Sequence, residues 1–120
     1  MGRYERHLRL YERLKEDGLT KDLHEETATE ALFLAAFHLI DACAALQGVH
    51  IGKHQRVRAD LEANRFIFGE RTEEVWRLFN ELERDLRPRF AYGFSWTPED
   101  FARVREAFAA LEAICGEVLK

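Results

Sequence analysis

The segment of residues 31–40, ALFLAAFHLI, constrains the fold more than any other part of the chain. It belongs to a helical stretch that starts within residues 20–27, where the letters TATE offer a capping box closed by Glu30. The stretch runs to Leu46 and stops at Gly48. Because apolar side chains lie on nearly all sides of this helix, it is stable only when other elements surround it. We therefore predict a central helix with the rest of the chain packed around it.

Four further helices are predicted from the spacing of apolar residues and from end signals. They cover roughly Tyr4 to Lys15, about His54 to Arg65, a segment that begins near Thr72, and a segment that begins after Thr97. The last has the strongest start, since TPED puts Thr97 at the N-cap, Pro98 at the first helical position and acids in the first turn. No segment of useful length alternates with the period of two that a strand requires. The predicted fold is all-α, an up-and-down bundle of four to five helices.

The length, charge and cysteines of the chain limit its class. At 120 residues, 47% of them hydrophobic, it has the size of one domain, residues 1–120, with its own core. The net charge of −4 is unlike that of a polycation that coats nucleic acid. Cys43 and Cys115 lie singly in apolar helical stretches, as small core residues in a reducing compartment do. The charged N-terminus has no apolar signal segment, so we expect a cytoplasmic protein that does not enter a membrane.

Histidines provide two candidate clusters. His50 and His54 have a spacing that suits a metal on one helix face, but Gly52 between them and the lack of a third ligand lead us to expect no metal and no cofactor. His38 and Asp41 interrupt the central helix three residues apart, so their side chains share one face. We expect them to satisfy each other at a helix–helix or dimer contact. The alternative is a histidine that a carboxylate orients as a general base.

Residues 87–96, RPRFAYGFSW, form the most unusual stretch. Pro88 lacks an N–H and its ring clashes with the preceding turn, so the helix that begins near Thr72 is predicted to kink or end near Arg87. Arginine binds phosphate oxygens through two N–H groups, and an aromatic ring stacks on a base. The candidate binding residues are Arg84, Arg87, Arg89 and Tyr92.

A structural interpretation of the same stretch stands beside this one. In it, the aromatic residues Phe90, Phe94 and Trp96 anchor the connection to the last helix. The arginines then pair with acids such as Glu83 and Asp85. Both interpretations can hold together, because the aromatic residues can fix the turn while the arginines face outward.

Two longer segments together resemble a known family. Residues 31–57, ALFLAAFHLIDACAALQGVHIGKHQRV, are similar to the apolar helix, glycine and short histidine-containing loop of one branch of the HEPN family. Residues 75–93, VWRLFNELERDLRPRFAYG, are similar to the segment in which an arginine-rich helix end leads to a tyrosine. The resemblance covers roughly residues 25 to 118 and includes the order of the helices.

The HEPN resemblance implies a small helical bundle that forms a homodimer, with the last motif lining a cleft between the protomers. Active members are metal-independent ribonucleases, often toxins paired with a nucleotidyltransferase antitoxin, and they use an Arg-x4–6-His motif. The present chain departs from this motif, because Tyr92 stands where the histidine would follow Arg87. Tyrosine, with an ordinary pKa near 10, is a poor general base at neutral pH.

Three hypotheses of function follow. The leading one is a dimeric HEPN-like domain that binds RNA, a nucleotide or a partner protein, such as a toxin–antitoxin component, without robust catalysis. The second is a metal-independent ribonuclease that uses Arg87 with Tyr92, or that recruits His38 or His54 across a dimer cleft. The third is a purely structural interaction module, which predicts that Arg87 is paired with an acid.

Overall fold

The computed structural model describes residues 3–19, 24–91 and 96–120, and within these ranges the chain is helical and has no strand. The α-helices are α1 (Arg3–Leu19), α2 (Glu25–Leu46), α3 (Val57–Ala63), α4 (Thr72–Asn80), α5 (Arg87–Ala91) and α6 (Pro98–Leu119). The residues Glu81–Leu86 form a π-helical segment between α4 and α5, so that helical structure continues from α4 to α5. The prediction of an all-α helical bundle is confirmed.

Helix α2 lies at the centre of the core, as predicted. Most of its residues are buried, and α1, α5 and α6 pack against it. By length and composition α2 could cross a membrane, but 72% of its most apolar window is buried within the fold. The apolar surface on all sides of α2 is therefore covered by the other helices of the chain.

The start of α2 differs from the predicted capping box. The helix begins at Glu25, and the side chain of the N-cap residue His24 makes no capping hydrogen bond. Glu25 and Glu26 lie in the first turn, where their charges interact favourably with the helix dipole. Glu30 lies inside the helix and its carboxylate binds Arg87, so it is not available to close a box at Thr27.

Helix α1 packs along α2 and extends beyond the predicted end near Lys15. It continues to Leu19, and Gly18 is buried within its last turn. A Cβ atom at Gly18 would lie 2.7 Å from the Cγ and Cδ2 atoms of Leu32 and 3.2 Å from the carbonyl oxygen of Ala28. The glycine is therefore required by the close approach of α1 to α2, since it is the residue that leaves room for the neighbouring side chain.

The helix that contains Pro88 widens and does not end at Arg87. The six residues Glu81–Leu86 are π-helical, and the α-helix resumes at Arg87 and continues to Ala91. In a regular α-helix the proline ring would clash with the carbonyl group four residues earlier and would leave that carbonyl without its N–H. A π-helical turn changes the register of the backbone hydrogen bonds at this point, so the chain accommodates Pro88 by a local distortion.

Ion pairs fasten the π-helical segment to α6. The guanidinium of Arg103 donates to Asp85 Oδ2 at 2.7 Å and to Glu81 Oε1 at 3.3 Å. Arg89 donates to Asp85 Oδ1 at 2.9 Å and to Asp100 Oδ1 at 3.0 Å. The hydrogen bond from Arg103 is the largest cause that lowers the pKa of Asp85, with a smaller contribution from Arg89. The distorted segment is therefore held by side chains on both α5 and α6.

Several predicted end signals and core residues are confirmed. The side chain of Thr97 accepts a hydrogen bond from the backbone of Asp100, whose carboxylate accepts one from the backbone of Thr97, and Pro98 follows at the first helical position. Gly48 has a φ angle of 80°, in the left-handed region that glycine adopts most readily after a helix.

Both Cys43 and Cys115 are fully buried. The predicted apolar stripes of α4 and α6 face the core, through the buried residues Val75, Phe79, Leu82, Leu86, Val104, Phe108, Leu111 and Cys115.

We predict that the substitution Gly18→Ala destabilises the protein. Overpacking of a buried site costs about 1–3 kcal/mol, whereas replacing a glycine near a helix end returns less than about 1 kcal/mol of helix propensity. The expected result is a net loss of about 1–2 kcal/mol in the free energy of unfolding, measured by urea denaturation. The matched control is Gly116→Ala in α6, because a Cβ atom there meets no other atom within 4 Å. The control is expected to be neutral or stabilising, and equal effects of the two substitutions would contradict the close approach at Gly18.

Candidate functional site

The first predicted binding residue, Arg87, is engaged by an acid of α2. Its Nε and Nη2 atoms donate to the two carboxylate oxygens of Glu30 at 2.8 and 3.0 Å. Its guanidinium carbon also lies 4.6 Å from the centre of the Phe33 ring, within the range of a cation–π contact. With 31% of its side chain exposed, Arg87 is half-buried. The structural interpretation predicted such an acid partner, but the partner is Glu30 and not one of the acids next to Arg87 in sequence.

The second predicted arginine, Arg89, is also held by carboxylates. Its two partners are Asp85 and Asp100, as described above, and Asp100 in turn caps α6. Arg89 therefore connects the π-helical segment to the start of α6, and both of its terminal nitrogens donate to carboxylates. This geometry makes Arg89 part of the helix junction.

The aromatic residues of the same stretch pack the junction where the structure describes them. Phe90 is buried, and its ring centre lies 4.9 Å from that of Trp96. The indole N–H of Trp96 donates to Glu26 at 3.2 Å, which connects the junction to the start of α2. Tyr92 and Phe94, the other two aromatic residues named from the sequence, lie outside the described residues.

The third predicted arginine, Arg84, lies in a different environment. Its side chain is 75% exposed, and its Nε lies 3.9 Å from Glu83 Oε1, too far for a hydrogen bond. Arg84 borders a cavity of about 280 Å³ between α3 and the helix formed by α4 and the π-helical segment. We call this cavity the Trp76 pocket, and its lining residues are His54, Gln55, Val57, Arg58, Trp76, Phe79, Asn80, Glu83 and Arg84.

One wall of the Trp76 pocket carries a histidine bound to a carboxylate. His54 Nδ1 lies 2.5 Å from Glu83 Oε2, and Glu83 is 14% exposed. The edge of the His54 ring contacts the rings of Phe33 and Phe37, with centre-to-centre distances of 5.3 and 6.2 Å. These contacts fix the orientation of His54, which the sequence analysis had considered as a metal ligand and as a histidine recruited for catalysis across a dimer cleft.

The Trp76 pocket is also lined by an arginine that stacks on its tryptophan. The guanidinium carbon of Arg58 lies 4.1 Å from the centre of the Trp76 ring, and the Nε of Arg58 also contacts Glu62 Oε1 at 3.3 Å. The Arg58 side chain is 60% exposed, so the guanidinium is accessible to solvent. An arginine stacked on tryptophan provides a flat, cationic surface on which an aromatic ligand can stack.

The two residues predicted as a polar pair on α2, His38 and Asp41, are connected through a residue of α1. Among the described residues no direct hydrogen bond joins them. Instead, His7 Nε2 lies 3.1 Å from Asp41 Oδ2, and His7 Nδ1 lies 2.8 Å from His38 Nδ1. Asp41 Oδ1 also accepts the backbone N–H of Ile51 at 3.2 Å. Both residues thus lie at a helix–helix contact, but they do not satisfy each other directly as expected; His7, which the sequence did not indicate, contacts both.

No cluster of three or more His, Cys, Asp or Glu side chains with metal-binding geometry occurs within residues 3–19, 24–91 and 96–120. A larger concavity, of about 590 Å³, lies along α1. Its lining consists of residues of α1 that carry both signs of charge, together with one leucine: Arg6, Arg9, Leu10, Glu12, Arg13 and Glu16. The Trp76 pocket is the better candidate site, because it combines an aromatic surface, an exposed cation and an oriented imidazole.

Comparison of the chain with models of protein families, with curated proteins and with solved structures gives no significant match. The HEPN resemblance therefore rests on the sequence motifs alone.

The sequence indicated only some of the residues that line the Trp76 pocket. Arg84 was named as a candidate binding residue, and His54 was named as a histidine that could serve catalysis across a dimer cleft. Trp76 and Glu83 were not identified as site residues. The signal that could have pointed to them is their spacing, because residues 76, 80, 83 and 84 share one face of the helix that contains Pro88.

We predict that Arg87 and Glu30 are coupled in the stability of the fold. Both side chains are about one third exposed, so solvent screening reduces the energy of the ion pair. The two hydrogen bonds and the contact with Phe33 should still give a coupling of about 0.5–1.5 kcal/mol between Arg87→Gln and Glu30→Gln in a double-mutant cycle. Urea denaturation of the four proteins measures this coupling. Strictly additive effects would show that the pairing does not hold α5 to α2.

Proposed function

We propose that the chain binds single-stranded RNA, and that one nucleotide of the strand enters the Trp76 pocket. The observation that carries the proposal is that an exposed arginine, Arg84, lines the same cavity as the Arg58–Trp76 stack. Single-stranded nucleic acids are bound by such combinations, in which aromatic or guanidinium planes stack on bases and cations contact phosphates.

The size and charge of the pocket support a ligand of this class. A volume of about 280 Å³ lies at the lower end of the range for small-ligand sites, which suits one nucleotide of a longer strand. Gln55 and Asn80 add side-chain amides that can donate to or accept from the edge of a base. The exposed residues Lys53 and Arg56 flank His54 in the chain, so the surroundings of the pocket carry positive charge although the whole chain has a net charge of −4.

The HEPN resemblance supports the proposal from the sequence. The family includes proteins that act on RNA, and the segment of residues 75–93 that carries the resemblance contains Trp76, Glu83 and Arg84. The proposed site differs from the one expected from the motif alone. It retains Arg84, whereas Arg87 and Arg89 already bind carboxylates of the same chain.

We predict that Trp76→Leu weakens binding of a fluorescently labelled single-stranded RNA of ten nucleotides. Loss of base stacking costs about 1–3 kcal/mol, or roughly 5- to 150-fold in the dissociation constant. Arg84→Gln should weaken binding of all sequences and reduce the slope of log K against log salt by about 0.7, the value for one phosphate contact with a single strand. Fluorescence anisotropy at several salt concentrations measures both effects.

The matched control for this experiment is Arg105→Gln. Arg105 is an exposed cation on α6 that lies over Phe101, so its removal changes the net charge as Arg84→Gln does but does not touch the pocket. The control should retain wild-type affinity. If the wild-type protein does not bind RNA at low salt, the proposed function is wrong; if all three variants bind equally well, the pocket is not the site.

A metal-independent ribonuclease is the second candidate function, and the contact between His54 and Glu83 favours it. A carboxylate that orients an imidazole beside an exposed arginine is an arrangement for general base catalysis on a phosphodiester. In that reaction His54 would accept the proton of a ribose 2′-hydroxyl, whose oxygen attacks the adjacent phosphate and displaces the 5′-oxygen. Arg84 would contact the phosphate.

We predict that RNA stays intact when it is incubated with the purified protein, because the chain lacks the histidine of the Arg-x4–6-His motif. Gel analysis of a single-stranded RNA, with and without a chelator of divalent cations, checks this prediction. Chelator-resistant cleavage that is lost in His54→Gln and retained in His24→Gln would establish the second candidate instead.

The HEPN resemblance also implies a homodimer and a nucleotidyltransferase-type partner, and both are part of the proposal. Light scattering of the purified chain after size-exclusion chromatography measures the oligomer directly. A mass of twice 14.1 kDa is expected for the homodimer, whereas a mass of 14.1 kDa would restrict the proposed site to residues of a single chain.

A further inference from the structure

The contact between α1 and α2 contains a row of three ionisable side chains that the proposed function does not use. Asp41, which is 1% exposed, lies at one end, and His38 lies at the other. His7 of α1 joins them, with 3.1 Å between its Nε2 and Asp41 Oδ2 and 2.8 Å between its Nδ1 and His38 Nδ1. The two imidazole rings also stack, with their centres 5.1 Å apart. The side chain of His7 is only 12% exposed.

The short contact between the two Nδ1 atoms limits the number of protons that the histidines can hold. A hydrogen bond between two nitrogens requires one donor and one acceptor, so one of the Nδ1 atoms must lack a hydrogen. The carboxylate of Asp41 accepts a hydrogen from His7 Nε2 and another from the backbone of Ile51. With this arrangement the histidines can be neutral together, or His7 can be an imidazolium that donates to a neutral His38. When both are imidazolium ions, two N–H groups face each other and the contact is lost.

Burial and the neighbouring basic side chains lower the pKa of His38, and one carboxylate opposes them. Burial is the largest cause that lowers the pKa of His38, and the neighbouring His7 and then Arg6 of α1 lower it further. Asp41 of α2 raises it, but by less than burial and His7 lower it. The other titratable pair nearby, His54 and Glu83, lies on the far side of the Phe37 ring, which contacts both His38 and His54.

We propose that the contact between His7 and His38 is a pH-sensitive latch that holds the first half of α1 on α2 at neutral pH and releases it at acidic pH. The proton that would make both histidines imidazolium ions binds more readily when α1 is undocked, because the two imidazoles are then separated and solvated. By linkage, the docked state is most stable above the ordinary histidine pKa of about 6.5 and loses stability as the pH falls below it. At low pH the equilibrium moves toward the undocked helix.

The latch acts on one half of α1 because the other half has independent attachments. Tyr11 donates to Glu112 of α6, and Lys15 Nζ lies 2.5 Å from the same carboxylate. Further along, Gly18 packs against Leu32. In the first two turns of α1, His7 makes polar contacts with α2 through both Asp41 and His38. Acidification should therefore free residues 3–10 before residues 11–19.

Hydrogen exchange of the full chain at pH 7.5 and pH 5.0 tests this proposal, after correction for the intrinsic pH dependence of amide exchange. Binding of one additional proton to the open state increases its population by up to tenfold for each pH unit below about 6.5, so the amides of residues 3–10 should exchange up to about 30-fold faster at pH 5.0. The amides of α6 serve as the internal reference and should change by less. Equal changes in α1 and α6 would show global destabilisation and would overturn the proposal.

Two variants separate His38 from the other histidines. His38→Gln keeps a side-chain N–H that can donate to His7 Nδ1 but cannot acquire a charge, so exchange in residues 3–10 should become nearly independent of pH. His24→Gln, which removes an exposed histidine that makes no capping hydrogen bond, should retain the wild-type pH dependence. An unchanged pH dependence in His38→Gln would exclude His38 as the sensor.

A measurement on the wild-type protein keeps the proposal testable even if His38→Gln does not fold. An NMR titration of the five histidines should show that His38 and His7 titrate as a coupled pair, with one of the two apparent pKa values below the ordinary histidine value of about 6.5. The signals of residues 3–10 should change over the pH range of that lower step. Independent titration of the two histidines, or titration that leaves α1 unchanged, would refute the latch.

Discussion

The apolar surface of α2 is the constraint on which the rest of the structure depends. A helix that is apolar on nearly all sides must be covered on all sides, and in this chain α1, α5 and α6 provide the cover. Phe33 illustrates the consequence, because its ring stacks on Phe79, receives the edge of His54 and carries the guanidinium of Arg87. Three separate parts of the chain are thus positioned by one side chain of α2.

The polar residues of α2 determine how the surrounding helices are arranged on its apolar surface. Glu30 binds Arg87 of α5, and Asp41 binds both His7 of α1 and the backbone of Ile51. Apolar packing alone would tolerate rotation or sliding of the neighbouring helices, whereas a buried polar group that loses its partner costs about 1–3 kcal/mol. These few contacts therefore select one arrangement among those that burial of α2 would permit.

The π-helical segment divides the arginines of one helix between two roles. Arg87 and Arg89 follow the segment and contact α2 and the start of α6, whereas Arg84 lies within it and faces the Trp76 pocket. Pro88, which follows the segment, disfavours a regular α-helix at this point, and the ion pairs of Arg103 hold the segment to α6. The same helix thus contributes Arg87 and Arg89 to the contacts with α2 and α6, and Arg84 to the Trp76 pocket.

The sequence by itself determined the helices, their buried faces and the start of α6, because these depend on backbone hydrogen bonds and on side chains only a few residues apart. A local pair such as Arg89 and Asp85, four residues apart, follows from the sequence, but charged groups that are distant in sequence meet only through the packing of the helices. The chain contains 18 Lys and Arg residues and 22 Asp and Glu residues, and local spacing cannot select Glu30 for Arg87 or Glu83 for His54. Those contacts depend on the rotation and register of helices packed against one another. The same reason explains why His7, far from His38 and Asp41 in sequence, was identified as their partner only in the folded chain.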